Sequence, residues 1–291
     1  MKNILLILLT TFSLSAQVKG VVKDSVSGKP IAYVGIFTSK AENNFSSDKK
    51  GKFKIENLTA KDTLWFFTTG YKEKKVAFKD LSKEVYLEPI SHFSNKNSDE
   101  LYNEKKKWID FQTSNPTFFK TTSAFSTSLK AYFLEGINSA SNSIILDKLS
   151  FKVVNLTAKT NVLKVRFFKA DSSQNIGEEI LIEPIIVEVE TSEFKESNNV
   201  YHSKGYIEID VLANQIEIPT EGFFIALESI NIKENQFKNF YSEGKSILLS
   251  PSINSTNIET KVYSYAKGKW KKVEKANYFP DFKISIATTK N

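Results

Sequence analysis

The side chains able to do chemistry are few and widely spaced. The chain holds two histidines, His92 and His202, and no cysteine. Zinc and similar metals take imidazole and thiolate ligands at short, regular spacing, and two histidines about 110 positions apart supply none. A triad of His202 with one of the many serines can be drawn on paper, but no G-x-S-x-G turn accompanies it. Calcium needs only oxygen ligands, and Asp171-Ser-Ser-Gln-Asn175-Ile-Gly177-Glu178 offers them at alternate positions. Ile176 stands where an EF-hand loop requires glycine, so a solvated hairpin loop is expected there, and no cofactor. Carboxylate pairs suited to hydrolysis of a polysaccharide meet only in a fold and leave no trace in sequence. The remaining candidate is aromatic. Tyr263, Tyr265 and Trp270 flank a turn at Lys267-Gly268, among Lys269, Lys271 and Lys272. Flat aromatic faces suit the apolar face of a sugar ring, which makes these three residues a candidate ligand-stacking platform. The same residues would equally serve cross-strand pairing, which stabilises a hairpin by about 0.2–1 kcal/mol per pair.

The elements that would position these groups follow from composition. With 291 residues and 41% hydrophobic content, the chain can bury a sizeable core in two domains. Its formal charge of +7 is almost entirely lysine, because Arg166 is the only arginine. Phosphate and base recognition favours the planar guanidinium fork, so nucleic acid is not an expected partner. The absence of cysteine excludes disulfides, thiolate sites and a lipid anchor on an N-terminal cysteine, which leaves stability to the hydrophobic core.

Met1-Lys2-Asn3, the apolar run Ile4–Leu9 and the small-residue exit Ser13-Leu-Ser-Ala16 make a Sec-type signal peptide over residues 1–16. No later run approaches the roughly 20 apolar residues of a spanning helix, so no transmembrane segment is expected. From Val18 to Leu87 short β segments alternate with turns. Ala32, Val34 and Ile36 share one strand face while Ile31, Tyr33 and Phe37 share the other, and Pro30 is expected to open that strand. Leu64 and Phe66 likewise oppose Trp65 and Phe67. About seven such strands in some seventy residues predict an all-β sandwich.

The order of these residues resembles the carboxypeptidase-like regulatory domain, a transthyretin-like sandwich of seven strands. The resemblance rests on Gly20, Val22, Asp24, Gly28, Pro30, Ile31, Val34 and Ile36, then Asp48, Gly51, Phe53 and Ile55, then Leu64, Phe66, Gly70 and Tyr71. Ser47 replaces the threonine frequent in the family. The resemblance implies a non-catalytic fold. In metallocarboxypeptidases such a domain lies beside the catalytic one; elsewhere it precedes the plug and barrel of TonB-dependent receptors, or begins assorted cell-envelope proteins. No room for such a barrel is expected in this length. The zinc-binding H-x-x-E of a carboxypeptidase is missing, since Phe-Ser-Asn follows His92 and Ser-Lys-Gly follows His202.

Residues 89–112 are polar and charged and are expected to be a linker, with a short helix over Asp99–Asp110 docked by Leu101, Tyr102, Trp108 and Ile109. Trp108 is read there as packing. Residues 113–291 carry longer strands, among them Ser126–Leu134, Ser143–Asn155, Asn161–Lys169, Glu179–Glu190, Glu221–Ile230 and Phe282–Ala287, with Pro184 marking an edge or bulge. They predict a larger jelly-roll-like β-sandwich, similar to domains found behind regulatory-like domains in exported bacterial proteins. The expected whole is an exported protein of the periplasm, outer membrane or exterior that binds a glycan, an envelope component or a protein without catalysis. A carboxylate-based hydrolase and an assembly factor working by β-strand addition are the alternatives.

Overall fold

In a computed structural model, residues 16–39, 44–90, 107–110, 129–137, 143–155, 161–190, 194–197, 200–232, 235, 250–251, 253–255, 260–276, 278–280 and 282–288 are described. The signal peptide, apart from Ala16, and most of the expected linker lie outside them.

The first sandwich consists of β1 (Ala16–Asp24), β2 (Gly35–Thr38), β3 (Phe45–Ser46), β4 (Lys52–Leu58), β5 (Thr63–Phe67), β6 (Lys74–Ala77) and β7 (Glu84–Leu87). They form two sheets, in the orders β4-β1-β7 and β3-β2-β5-β6. Alternation dictates how the sheets meet. Phe53 and Ile55 of β4 point inward between exposed lysines, as do Val85 and Leu87 of β7 between Glu84 and Tyr86. They pack on Val34, Ile36, Leu64 and Phe66 from the facing sheet. Pro30 does not open β2: it forms an isolated bridge to Lys23, and Tyr33 takes a positive φ of 54° before the strand starts at Gly35.

The second half contributes β8 (Lys107–Asp110), β9 (Leu129–Leu134), β10 (Ile144–Phe151), β11 (Val153–Asn155), β12 (Asn161–Ala170), β13 (Ile176–Glu179), β14 (Ile185–Val189), β15 (Phe194–Ser197), β16 (Val200–Ser203), β17 (Ile207–Asp210) and β18 (Phe223–Ser229). It ends with β19 (Ser250–Pro251), β20 (Ile253–Ser255), β21 (Val262–Ala266), β22 (Lys269–Lys272), β23 (Tyr278–Pro280) and β24 (Phe282–Thr288). Its main sheet runs β13-β12-β18-β9-β21-β22, with β14 also on β12, and it faces a sheet of order β17-β10-β24-β8. The core between them includes Val165, Phe167, Ile225, Tyr132, Leu149, Phe151, Phe282 and Ile284. Of the predicted Glu179–Glu190 strand, the part after Pro184 forms as β14; β13 ends at Glu179, and both pair with β12. β11, β15, β16 and β19 form a smaller sheet, and β20 pairs with β23.

Residues 107–110 were expected at the end of a short helix and are instead an edge strand, paired antiparallel with β24. The alternation of Trp108 and Ile109 suits a strand, with Ile109 turned to the core. Described residues contain no α-helix; 3-10 turns stand at Phe78–Asp80 and Leu212–Asn214, and Asn235 also has 3-10 geometry. None of their helices is long and apolar enough to cross a membrane.

The two sandwiches are stacked. The outer face of β3-β2-β5-β6 lies on the outer face of the seven-stranded sheet, so both sheets are covered on both sides. This explains why β2 and β5 are apolar on both faces, and why residues 162–168 of β12 are buried without interruption.

Candidate functional site

Aromatic side chains from both halves fill the contact between the sandwiches. Phe37, Trp65 and Phe67 project from β2 and β5 onto Phe168, Phe224, Ala226, Tyr263, Tyr265 and Trp270. Tyr265 stacks on Phe67 with centroids 4.6 Å apart and meets Phe37 edge-on at 4.7 Å. Trp270 lies edge-on to Phe168 and to Tyr265, and Tyr263 edge-on to Phe224. The hydroxyl of Tyr265 donates to Glu73 of the first sandwich. Tyr263 and Tyr265 are only 7% and 2% exposed. The three residues expected to form a ligand platform are thus packed at the contact, since the first sandwich occupies the faces a sugar would need.

Charged residues are buried in the same contact. On β12 the side chains facing the first sandwich alternate as Val162, Lys164, Arg166 and Phe168, and β18 sets Glu228 directly across from Lys164. Lys164 Nζ lies 3.3 Å from a Glu228 oxygen and donates to the Tyr33 carbonyl at 2.5 Å and the Thr68 hydroxyl at 3.3 Å. Arg166 grips Glu179 with two hydrogen bonds of 2.8 and 2.6 Å, and its Nη1 stands 3.4 Å from Glu228. Its guanidinium carbon lies 3.9 Å from the centroid of Phe67, a cation–π contact away from water. Thr69 donates to Glu179 at 2.6 Å. Two cations and two anions balance, and Tyr33, Thr68 and Thr69 of the first sandwich add hydrogen bonds to them. Burial pushes the Lys164 ammonium below its ordinary range although Glu228 draws it back. At Arg166 burial also acts against the charge, but Glu179 and Glu228 overcome it and hold the guanidinium more firmly protonated.

Two glycines permit this approach. Gly70 has φ +81°, and a Cβ there would fall 1.9 Å from the Ile182 carbonyl oxygen of the second sandwich. At Gly268, φ +75°, a Cβ would lie 2.0 Å from the Trp65 ring nitrogen. Gly268 belongs to the turn of the sequence-selected hairpin, where close packing rather than ligand access explains it.

Within the first sandwich, Asp24 closes the turn that follows β1. One carboxylate oxygen accepts from the backbone of Val26 and Ser27 at 2.8 and 2.6 Å, and the other accepts from the Tyr71 hydroxyl at 2.9 Å. Those backbone bonds hold the Asp24 carboxyl below its usual range. Burial, aided by Asp24, pushes the Tyr71 hydroxyl up to about 12. Gly28 and Gly51 take the positive φ of their turns, and Gly20 lies under the Phe53 ring. Asp24, Gly28, Gly51, Phe53 and Tyr71 are therefore fold-forming residues. The sequence matches the model of one family over this region. Residues 18–100 are a CarboxypepD_reg-like domain.

The match runs past the last strand at Leu87 into the expected linker, of which residues 91–100 lie outside the described ones. A search of curated proteins finds no match for the chain. Among solved structures, the chain is similar to a variant of BcpA, the major pilin subunit of Bacillus cereus (11% identity, 88% of this chain and 67% of that one, TM-score 0.20). It is also similar to the major pilin SpaD of Corynebacterium diphtheriae (8% identity, 94% and 81%, TM-score 0.20) and to infectious bursal disease virus, Gt strain (11% identity, 94% and 64%, TM-score 0.19).

Opposite the CarboxypepD_reg-like domain, the outer face of β17-β10-β24-β8 carries a second group of residues. Trp108 is 48% exposed on the edge strand β8. Tyr206, just before β17, has Lys283 Nζ 4.5 Å and Lys152 Nζ 4.7 Å from its ring centroid. Lys148 donates to Glu208 at 2.5 Å beside it. Trp108, Ile109, Ser150, Tyr206, Glu208 and Lys283 line a shallow cavity of 360 Å³. Sequence reading assigned Trp108 to packing and passed over Tyr206. Their signal is the strand period, which turns Trp108, Lys148, Ser150, Glu208 and Lys283 to one side, but only if the sheet order is known.

The Asp171 loop is closed on itself. Asp171 accepts from the backbone of Ser173 and Asn175 and from the Asn175 amide, closing its own loop. Among the described residues no three His, Asp or Glu side chains are grouped as a metal would need. His92 lies outside the described residues, as does the side chain of His202.

Proposed function

We propose that the chain is a non-catalytic, exported cell-envelope protein. Its CarboxypepD_reg-like domain is docked onto the larger sandwich, and the two together present a binding surface for a glycan, an envelope component or a protein partner. The observation that carries this reading is the closed state of the ionisable cluster. Among the described residues, Glu179 and Glu228 converge on one arginine, and for hydrolysis such a pair would have to face a substrate. Both are instead directed at Arg166 beneath the first sandwich, with Glu228 wholly buried. Export rests on the sequence of residues 1–16. β-Strand addition is less favoured, because edge strands β4 and β6 carry Lys52, Lys54, Lys74 and Lys75, charges that discourage a partner strand.

The test is to express the full chain, locate it by cell fractionation, and determine its mature N-terminus by mass spectrometry. The purified protein is then offered polysaccharides and peptides for turnover, and envelope extracts for capture. Processing near Ala16, binding and no turnover are expected. Retention in the cytoplasm would remove the export half of the reading. Turnover abolished by changing one carboxylate would replace the other half with a hydrolase.

A further inference from the structure

We propose that the outer face of the β17-β10-β24-β8 sheet, around Trp108 and Tyr206, binds a saccharide chain. This deepens the binding-protein reading above and rests on it. The face combines what a sugar ring requires. A pyranose has an apolar C–H face edged by hydroxyls that both donate and accept, so its site needs a flat apolar surface with mixed polar groups at its margin. Trp108 supplies the surface: it stands half exposed on an edge strand, whereas Trp65 and Trp270 are consumed by the contact between the sandwiches. Tyr206, its ring flanked by the Lys152 and Lys283 ammonium groups, lines the same cavity. At the margin are the Lys283 ammonium, the Ser150 hydroxyl and the Glu208 carboxylate, which give donors and acceptors within one cavity.

Other ligand classes fit less well. The Lys148–Glu208 ion pair places an anion in the site, which opposes nucleic acid, and the sole arginine is buried at the other sheet. A stable protein contact covers about 800 Å² on each partner and centres on a desolvated apolar anchor, while this cavity of 360 Å³ is small and shallow, with polar and apolar walls mixed. Its size suits one or two sugar units of a longer chain lying across the strands. The site also lies on the sheet most distant from the CarboxypepD_reg-like domain, so that domain leaves it uncovered.

The full chain is titrated by calorimetry with soluble hexasaccharides of glucose, mannose, galactose, xylose and N-acetylglucosamine, and acrylamide quenching of tryptophan is followed in parallel. At least one saccharide is expected to bind and to protect Trp108 from quencher. Trp108→Ala should weaken that binding about tenfold or more while Trp108→Phe keeps most of it, because loss of an aromatic contact is at issue. Urea unfolding of Trp108→Ala should match the parent, given the exposure of that side chain. Saccharide binding that Trp108→Ala and Tyr206→Ala leave intact overturns the site. Failure of every saccharide to bind overturns the ligand class. If an envelope protein is still captured in that case, the broader reading stands without this inference; if nothing is captured, both fall.

Discussion

Replacing Glu228 by glutamine would remove the carboxylate that Lys164 and Arg166 share, and leave a net positive charge where no water reaches. Its oxygen lies 3.3 Å from Lys164 Nζ and 3.4 Å from Arg166 Nη1. At an effective dielectric of about 20, a unit pair at that separation attracts by about 5 kcal/mol. Part of that attraction offsets the desolvation of the ions themselves, so the net effect of breaking such a pair is about 3–5 kcal/mol. Arg166 keeps its bidentate hold on Glu179, which assigns most of the loss to Lys164, already pushed towards neutrality by burial. Adding Lys164→Met to Glu228→Gln restores neutrality in an apolar shape, and the double variant should recover most of the stability. The assay is a double-mutant cycle by urea unfolding, read from Trp65 and Trp270 fluorescence at the contact. A coupling of about 2 kcal/mol or more is expected for groups in one network. Additive losses, or a Glu228→Gln variant within about 0.5 kcal/mol of the parent, would refute the buried cluster.

Other outcomes follow from the same contact and from the turn that Tyr71 closes. Gly70→Ala places a methyl against the Ile182 carbonyl and strains a positive φ, and should cost about 3 kcal/mol in urea unfolding, whereas Gly205→Ala, with open space around it, should cost little. The isolated segment 18–90 would present Phe37, Trp65 and Phe67 to water, so it should bind the dye ANS and self-associate where the full chain does neither. Tyr71 is held protonated in the fold up to about 12 against an ordinary 10.0, so its contribution is complete below pH 10 and lost as pH rises towards 12. Alkaline unfolding of Tyr71→Phe should lack that component; an identical pH profile would dismiss the Asp24 contact as a source of stability.

The individual strands were legible because their period is local. Lys52–Glu56 alternates in sequence as it does in space, and the turns at Asp24 and Asp48 are written in residues that bond their own backbone. Trp108 was misread because the charged run Glu104–Lys107 before it suggests a solvated helix, while the strand it joins is paired about 175 positions later, at Ser285. The aromatic hairpin at Tyr263–Trp270 was found for its composition and misassigned in role, since exposure is not a property of a sequence.

What the sequence determined by itself was the all-β class, the place of the CarboxypepD_reg-like domain and the turns that make it, because each depends on side chains within a few residues of one another. One longer-range fact was also present, unread: β2 and β5 are apolar on both faces, and β12 interrupts an apolar run with Lys164 and the single arginine, Arg166. Two-sided apolarity requires a second cover, and a charge in such a strand requires a partner. Which surface provides the cover, and that Glu179, Glu228, Tyr33 and Thr68 provide the partners, was decided only by tertiary structure. Lys164 and Tyr33 are separated by 131 positions, and only the stacking of two sheets brings their atoms within hydrogen-bonding reach.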